Sequence, residues 1–390
     1  MPSPEDPNPS LSMIHLFTSK GCRPLRQPFC CGALRCSGLF CAAGDCILRR
    51  GMVYCSRPRG CRSALTGYHA ERGIAVLFKV FTATLSPMLV MFTCMVAGFV
   101  LNKKKLLPAN ATAVLSKLEN FILVPALIIR TFMKYCTVAS LREQYRLVLY
   151  SAGAVAIAIG IAYALSGLFE RDAYRKNIYR YALTFGNFGF MGNAIVPAIL
   201  GEAMLYDHLL FTLPMNLAAY VWGVSILIPP GKGGGSPLKN LLNPTVFAIA
   251  IGMALGLLGL EPAMPAFFTS TLDSLSGCMG PIAMVLTGFV IGDYDFGTLL
   301  KNKKVYAAAA LRLLVFPALY VALFLLLGAD EKTLTLCLFA FATPLGLNTV
   351  VFPAAYGGDT STGASMAMVS HTLCVLTIPL MYALLSAVLH

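Results

Sequence analysis

Residues Thr184 to Gly201 read TFGNFGFMGNAIVPAILG, in a place where an apolar helix would be expected to cross a membrane. The stretch contains four glycines, one proline and two asparagines. A proline removes a backbone donor and clashes with the preceding helical turn. Lipid offers no replacement partners, so irregular backbone survives only where protein buries it or where it lines a watery cavity. The stretch therefore predicts a broken helix whose polar backbone faces a site.

The composition extends this prediction to the whole chain. Of its 390 residues 57% are hydrophobic and 12% charged, with a mean hydropathy of +0.73. A soluble domain carries about 25% charged residues. The apolar residues form ten segments of roughly 20 residues, the length that spans a bilayer. We therefore predict an all-α integral membrane protein with ten transmembrane helices. The predicted spans are 82–101, 114–133, 146–169, 181–201, 207–228, 242–260, 272–292, 305–328, 333–357 and 363–388.

Residues 1–75 differ from the rest of the chain. They hold eight of the 13 cysteines, many arginines and no long apolar run. Cys31, Cys36, Cys41 and Cys46 recur every five residues, without the paired knuckles typical of a zinc site. We predict no metal site here, and we expect this segment to be either disordered or translated from upstream of the true start.

Lysine and arginine are distributed unevenly between successive loops. The odd-numbered loops hold twelve of these residues, and the even-numbered loops with their borders hold four. Because such residues concentrate on the cytoplasmic side, the odd loops are predicted to be cytoplasmic and both ends of the ten-span unit to lie outside. The net charge of +13 then reflects topology and contact with the lipid bilayer, and we predict no nucleic-acid partner.

The two halves of the apolar region share a pattern of prolines. Three pairs of prolines lie in corresponding spans at offsets of 156, 156 and 157 residues. The pairs are Pro125 with Pro281, Pro197 with Pro353, and Pro87 with Pro244. A repeat of five spans must place its second copy upside down, which is an architecture of secondary transporters. We predict a first repeat over 76–228, a Gly/Pro-rich central linker over 229–241 and an inverted second repeat over 242–390.

Span 9 is the counterpart of the opening stretch. It reads LFAFATPLGLNTVVFPAAYGGD from Leu338 to Asp359, again with glycine, asparagine and proline inside an apolar run. The N-terminus of a half-helix carries partial positive charge and free N–H groups, which suit an anion. Asn187, Asn193 and Asn348 would add neutral hydrogen-bonding groups. Two crossed, broken helices near the midplane predict a binding site there, although close packing of helices is an alternative use of the glycines.

Six short motifs occur along the apolar region. They are LVPALI in span 2, GNFGFMG in span 4, YVWGVSIL in span 5, ATPLGLN and FPAAYGGD in span 9, and SHTLCVLTIPL in span 10. In their order and spacing these motifs resemble the auxin efflux carrier superfamily, which includes PIN-formed plant carriers and bacterial permeases for malate or malonate.

This resemblance implies ten helices in an inverted 5+5 repeat, with spans 4 and 9 crossed around the substrate. It also implies a set of substrate-binding positions. They are Asn187, Gly189, Asn193 and Pro197 in the first crossing helix, and Pro344, Asn348 and Pro353 in the second. The short linker is similar to that of the bacterial branch.

Ionisable residues inside a span are costly and are candidates for function. Glu119 and Asp273 lie shortly before the prolines of spans 2 and 7. We expect coupling or charge pairing for both, or else solvation near the membrane surface. Arg312 in span 8 keeps its charge, so we expect it to attract an anion or to pair with Glu119. His371 in span 10 has two interpretations, a proton site or a hydrogen-bonded structural residue.

The sequence has no P-loop and no nucleophile elbow, so no enzyme and no cofactor is predicted. We expect a secondary transporter of small organic anions, such as carboxylates, in the plasma or bacterial inner membrane. Coupling to H+ or Na+ is left open, and a homodimer is one assembly that fits. Two alternatives are an ion antiporter of similar inverted-repeat fold and a membrane receptor that binds a ligand without moving it.

Overall fold

The structure, a computed structural model, describes residues 46–49, 52–55, 58–108, 110–231 and 243–389. The chain divides into two compact units, Met1–Arg72 and Gly73–His390. In the first, strands β1 (Cys46–Arg49) and β2 (Met52–Cys55) form an antiparallel hairpin. The sequence predicted that residues 1–75 are either disordered or translated from upstream of the true start. Most of that segment, residues 1–45, lies outside the described residues.

From Pro58 onward the described chain is built from helices joined by short connections. In chain order they are α1 (Pro58–Lys103), α2 (Ala111–Tyr135), α3 (Val138–Phe169), α4 (Ala173–Thr184), α5 (Phe188–Leu200), α6 (Glu202–Leu227), α7 (Pro244–Leu257), α8 (Ala266–Gly292), α9 (Phe296–Leu300), α10 (Lys303–Leu326), α11 (Glu331–Phe341), α12 (Asn348–Ala355) and α13 (Ser361–Leu389). Helices α2, α5, α6 and α10 each contain one π-helical turn.

Seven described helices are long and apolar enough to cross a membrane. They are residues 76–103 of α1 together with α2, α3, α6, α8, α10 and α13, and they match predicted spans 1, 2, 3, 5, 7, 8 and 10. The prediction of an all-α, multi-pass membrane protein is confirmed. Span 6 is the 14-residue α7, and spans 4 and 9 are the interrupted pairs α4–α5 and α11–α12, so the ten-span repeat stays a prediction.

The helices form two groups according to their neighbours. In the first group α2 packs against α7 and α8, and α1 meets α8 through close glycine contacts. In the second group α3 packs against α4 and α6, while α10 packs against α11 and α13. Both interrupted pairs belong to this second group. Helix α5 also contacts α8, so the interrupted region lies where the two groups meet.

Polar contacts join the helix ends in two sets. Near the ends of α1 and α8, Asn102 donates to Asp293, and Arg175 in the first turn of α4 pairs with Asp359 before α13. The second set contains four ion pairs among the described residues. They are Arg130 with Glu261 and with Asp273, Lys134 with Glu202, and Lys332 with Asp207. The two sets share no residue, and each one joins elements far apart in sequence.

Asp359 caps the start of α13. Burial alone would raise its pKa, but hydrogen bonds from Ser361 and Thr362 and the charge of Arg175 outweigh burial, so the pKa lies below its usual value. A carboxyl with a lowered folded-state pKa stabilises the protein above its unfolded-state pKa. That contribution is lost as the pH falls through the folded-state pKa.

Close backbone approach between α1 and α8 depends on glycine. A Cβ placed on Gly288 would overlap the carbonyl oxygen of Met95, and one on Gly98 would overlap that of Val285. Small residues allow membrane helices to approach closely, since packing and not hydrophobicity drives their association in lipid. These two glycines therefore hold α1 against α8.

We expect Gly288→Leu to destabilise the protein, because α1 would have to move away from α8 and lose its close packing contacts. Overpacking of this kind costs about 1–3 kcal/mol, and more where backbone must shift. The measurement is the thermal unfolding midpoint in detergent. Gly153→Leu in α3 is the matched control, because no atom lies within 4 Å of a Cβ at that position. Equal midpoints for the two variants would contradict the packing argument.

Candidate functional site

The two interrupted helix pairs cross at a short β-bridge. Helix α4 ends at Thr184, and Phe185 is extended, with φ −116° and ψ 125°. Gly186 then pairs antiparallel with Leu345, which lies between α11 and α12. The N–H of Asn187 donates to the carbonyl of Pro344 at 2.7 Å. Each broken segment thus supplies backbone partners to the other.

The breaks do not lie at the later prolines, which corrects the expectation for this region. Pro197 and Pro353 are inside helices α5 and α12. The non-helical segments are residues 185–187 and 342–347. A helix continues through a proline when its one lost backbone bond is satisfied by surrounding groups. Pro344, in contrast, lies in the second break itself.

Arg312 lies at the crossing, fully buried in the π-helical turn of α10. Its Nη1 donates to the carbonyl of Thr184 at 3.3 Å, and its Nη2 to that of Ala340 at 3.4 Å. These carbonyls belong to the last turns of α4 and α11, where helix carbonyls lack internal partners and carry partial negative charge. The guanidinium therefore joins both broken ends.

The charge of Arg312 is not balanced by an acid. Within the described residues no carboxylate lies in ion-pair range of Arg312, so the expected alternative of a pair with Glu119 is not formed. The guanidinium instead lies over the ring of Phe341, 5.4 Å from its centroid. A permanent positive charge thus remains at the crossing.

A cavity of about 70 Å³ lies against the crossing. Gly186 forms part of its wall, with Arg312 directly behind that glycine. Five asparagines from four helices and one break line the cavity, accompanied by aromatic and hydroxyl side chains. The asparagines are Asn120, Asn187, Asn193, Asn216 and Asn348. None of the described side chains that line it is charged.

Asn187 and His371 form a buried pair at the wall of this cavity. The Nδ2 of Asn187 lies 3.0 Å from Nε2 of His371. The other ring nitrogen, Nδ1, lies 2.7 Å from the carbonyl of Ala367, one turn earlier in α13. The carbonyl only accepts, so Nδ1 carries a hydrogen and Nε2 accepts from Asn187 in the neutral ring.

Asn348 makes a comparable contact across the crossing. Its Nδ2 donates to the hydroxyl of Tyr181 at 2.7 Å, which links α12 to α4. Tyr181 also lines the cavity, and its own hydroxyl hydrogen remains available there. Asn193 differs, because its Oδ1 is buried without a hydrogen-bond partner among the described residues. A ligand that supplies hydrogen bonds would satisfy these groups.

Four of the predicted substrate-binding residues line this cavity. They are Asn187, Gly189, Asn193 and Asn348. Pro344 contributes its carbonyl to the crossing, while Pro353 is absent from the described lining. Pro197 lines a different cavity of about 460 Å³, beside Arg130 and Asp273. The role of each as a ligand stays a prediction.

Glu119 and Asp273 have unlike surroundings despite their similar sequence positions. Glu119 begins the π-helical turn of α2 and is fully buried, with neither carboxyl oxygen hydrogen-bonded to a described residue. It is thus not a solvated surface residue. Asp273 is half-exposed and pairs with Arg130 at 2.6 Å. The structure brings neither of them to the crossing cavity.

Sequence reasoning missed part of the site. Asn120, Asn216 and Tyr181 were not singled out, although an amide inside an apolar span was the signal that identified Asn187. Applied to every span, the same signal would have found the two asparagines. The contact of His371 with Asn187, 184 positions away, has no local sequence signature.

A second cavity of about 270 Å³ adjoins the first and shares Asn120, Tyr220 and Asn348 with it. It continues to Lys117 in α2 and Asn243 at the start of α7. The second cavity therefore extends from the crossing cavity to the start of α7, which follows the central linker. Lys117 is the one charged residue among the described residues that line this entrance.

Comparison with known proteins gave one family. A sequence profile described as "Membrane transport protein" matches residues 83–236 and 234–382, which together cover most of the chain and include the crossing and the cavity. Curated proteins gave no match.

Gly186 provides a test of the crossing. A Cβ at this position would overlap Oγ1 of Thr343 and lie 2.5 Å from Nη2 of Arg312. We expect Gly186→Ala to displace the guanidinium from its carbonyls and lower the unfolding midpoint, since a buried carbonyl left unpaired costs about 1–3 kcal/mol. Gly189→Ala, with open space around its Cβ, should unfold like the wild type. An unchanged midpoint for Gly186→Ala would show that the crossing tolerates this displacement.

Proposed function

We propose a function for this chain from the premise that it belongs to the membrane transport protein family, the family of the auxin efflux carriers. It is a membrane transporter and not an enzyme. Beyond that, we propose that it is a secondary transporter of small organic anions, chiefly carboxylates. The anion binds in the crossing cavity and passes by alternating access.

The buried charge of Arg312 carries this proposal. It is a permanent cation without a carboxylate partner among the described residues, and it lies behind Gly186 in the cavity wall. In a low-dielectric interior its field reaches the cavity with little screening. A cavity with a neutral lining and a positive charge behind its wall favours an anion over a cation.

The lining supplies groups that suit a carboxylate. Residues 187–190 and 346–348, at the N-terminal ends of α5 and α12, line the cavity. Helix N-termini favour anions through their partial positive charge and free N–H groups. The amides of Asn193 and Asn348 add donors, while Phe188, Phe190 and Tyr220 supply apolar area for the body of an organic acid.

A ten-span arrangement agrees with the polar contacts at the helix ends. If each predicted span crosses once, odd loops share one side and even loops the other. Asn102–Asp293 and Arg175–Asp359 join odd loops only, whereas Lys134–Glu202 joins even loops. The remaining ion pairs likewise join even loops, or the ends of spans beside those loops. We infer that spans 4 and 9, though interrupted, each cross the membrane.

The position of the entrance at Lys117 indicates the side of the membrane to which the cavity of the proposed transporter opens. With odd loops in the cytoplasm, as their lysines and arginines predict, the cavity is open to the inside. Lys117 would attract anions at its mouth. Relative movement of the two helix groups would close this entrance and open the other side, where Arg130 and Lys134 line the cavity that contains Pro197. The membrane is the plasma membrane or a bacterial inner membrane.

An ion antiporter is the second candidate, favoured by the buried, unpaired Glu119. Such a carrier needs a carboxylate that faces its binding site. Of the described residues that line the crossing cavity none is acidic, so the antiporter is the weaker hypothesis.

Uptake by the purified chain in liposomes tests the proposal. The panel is malonate, malate, succinate and indole-3-acetate, with empty liposomes as the background and imposed pH and sodium gradients. Accumulation of at least one of these acids supports the proposal. Sodium–proton exchange without carboxylate uptake supports the antiporter, and ligand binding without any uptake supports a receptor.

Asn193→Ala and Asn348→Ala are expected to weaken uptake while the protein still folds. A hydrogen bond to a charged group is worth about 1.5–3 kcal/mol, so the half-saturation concentration should rise about tenfold to a hundredfold. Asn177→Ala is the control, because that amide lies outside the cavity and accepts from Arg180. Unchanged uptake by both cavity variants would refute their assignment as ligands.

The variants Arg312→Lys and Arg312→Met separate the effect of the positive charge from the effect of the forked guanidinium. Lysine keeps a charge that favours the anion but cannot hold two carbonyls as the forked guanidinium does. We expect a lower unfolding midpoint for both variants, measurable uptake for Arg312→Lys and none for Arg312→Met. Arg180→Met, a partly buried arginine over Tyr163, controls for loss of an arginine elsewhere. An Arg312→Met protein that folds and transports with the wild-type half-saturation would exclude the charge from substrate binding.

A further inference from the structure

The pair formed by Asn187 and His371 responds to a proton in one defined way. Nδ1 of His371 faces a carbonyl and keeps its hydrogen in every protonation state. Nε2 is therefore the atom that gains or loses a proton. When Nε2 carries no hydrogen, it accepts a hydrogen bond from the amide nitrogen of Asn187.

A proton on Nε2 makes this arrangement impossible, because two N–H donors would then face each other at 3.0 Å. The amide of Asn187 has a simple remedy. A half-turn of the amide brings its oxygen to face Nε2, which then donates to it. The same half-turn moves the amide nitrogen to the place of the oxygen, which has no hydrogen-bond partner among the described residues. Asn187 lines the cavity, so a donor there replaces an acceptor.

We propose that His371 is the proton site of this carrier, and that the turn of Asn187 couples the proton to the anion. This inference rests on the proposed function. One proton adds to Nε2, and one carboxylate binds to the donor that Asn187 then presents. Both are released on the other side, and Asn187 turns back. For a monocarboxylate the cycle moves no net charge.

The charges around His371 make the coupling strict. Helix α13 packs against α4, α8, α9, α10, α11 and α12. The acidic residues on these helices, Asp273 and Glu331, are both exposed. The buried titratable side chains on them and on α13 itself are Tyr179, Tyr181, Arg312, Tyr320, Cys337 and Cys374.

Arg312 is the one permanent charge in that set. Its positive charge opposes a second buried cation at His371. A carboxylate in the cavity would relieve this repulsion, because Gly186 and Asn187 both line that cavity and Arg312 lies behind Gly186. The proton is therefore held chiefly while the anion is bound.

Thermodynamic linkage between proton binding and anion binding predicts how strongly the half-saturation concentration depends on pH. When one proton binds with the anion, each ligand strengthens the other by the same factor. The half-saturation concentration for the anion should then fall by up to tenfold for each unit of decreasing pH, within the range where His371 titrates. Dissipating the membrane potential should leave the uptake of a monocarboxylate unchanged.

His208 is a matched control for His371. It is also fully buried, and both of its ring nitrogens lack hydrogen-bond partners among the described residues. It packs against Gly192 and is not among the residues that line the crossing cavity. A general effect of removing a buried histidine should therefore appear in both variants, whereas proton coupling should disappear only with His371.

The experiment uses the full chain in liposomes with the same four carboxylates, at equal internal and external pH from 6.0 to 8.0 in about half-unit steps. Half-saturation is measured on every acid that the wild type carries, and a trapped pH-sensitive dye reports the lumen. We expect the wild type to bind more tightly at low pH and to acidify the lumen during uptake. His208→Gln should also bind more tightly at low pH and should also acidify the lumen during uptake. His371→Gln should keep the wild type's high-pH half-saturation at every pH and should not acidify the lumen.

Titration of the acids themselves affects every variant equally, so the comparison of the two glutamine variants isolates the protein's proton. Wild-type uptake with no pH dependence and no lumen acidification overturns the inference, whether or not His371→Gln folds. So does a His371→Gln protein that acidifies the lumen like the wild type. Uptake of none of the four acids overturns the proposed function and the inference with it, whereas uptake without proton movement overturns the inference alone.

Discussion

The hydrogen bonds from Arg312 to Thr184 and Ala340 are the constraint on which the rest of the structure depends. Interrupting two helices inside lipid leaves carbonyls that water cannot reach. One guanidinium donates to carbonyls at both ends, and the bridge between Gly186 and Leu345 joins the two breaks. The need to satisfy these buried carbonyls accounts for the position of Arg312 in α10 beside both broken segments. The glycine at 186 is required because the guanidinium must approach that closely.

The sequence was sufficient for the class of fold but not for the position of the breaks. Uninterrupted apolar segments predict membrane helices reliably, since their length is set by the bilayer. Pro197 and Pro353 marked the correct segments, yet both are accommodated within helices. The breaks formed instead at Gly186 and Pro344. Their location depends on what lies opposite in space, namely Arg312 and the other broken segment, and no local pattern contains that information.

The same limit applies to the candidate site. Asn187, Asn193 and Asn348 could be identified because amides are rare inside apolar spans. The partners that orient two of them, His371 and Tyr181, lie 184 and 167 residues away and share no motif with them. Glu119 and Asp273 occupy similar sequence positions, but only Asp273 has an arginine opposite. Whether a charge is paired depends on helix packing, which sequence spacing does not report.

The position of Arg312 behind Gly186, outside the cavity, separates two properties that most binding sites combine in one residue. Under the proposed function, the sign of the ligand's charge would be selected by a group that does not line the cavity. Its size and shape are selected by neutral side chains such as Asn120, Asn216 and Phe190, which come from other helices. If the ligand is an organic anion, as proposed, the lining could change over evolutionary time to admit acids of new shapes while the charge behind Gly186 stays in place.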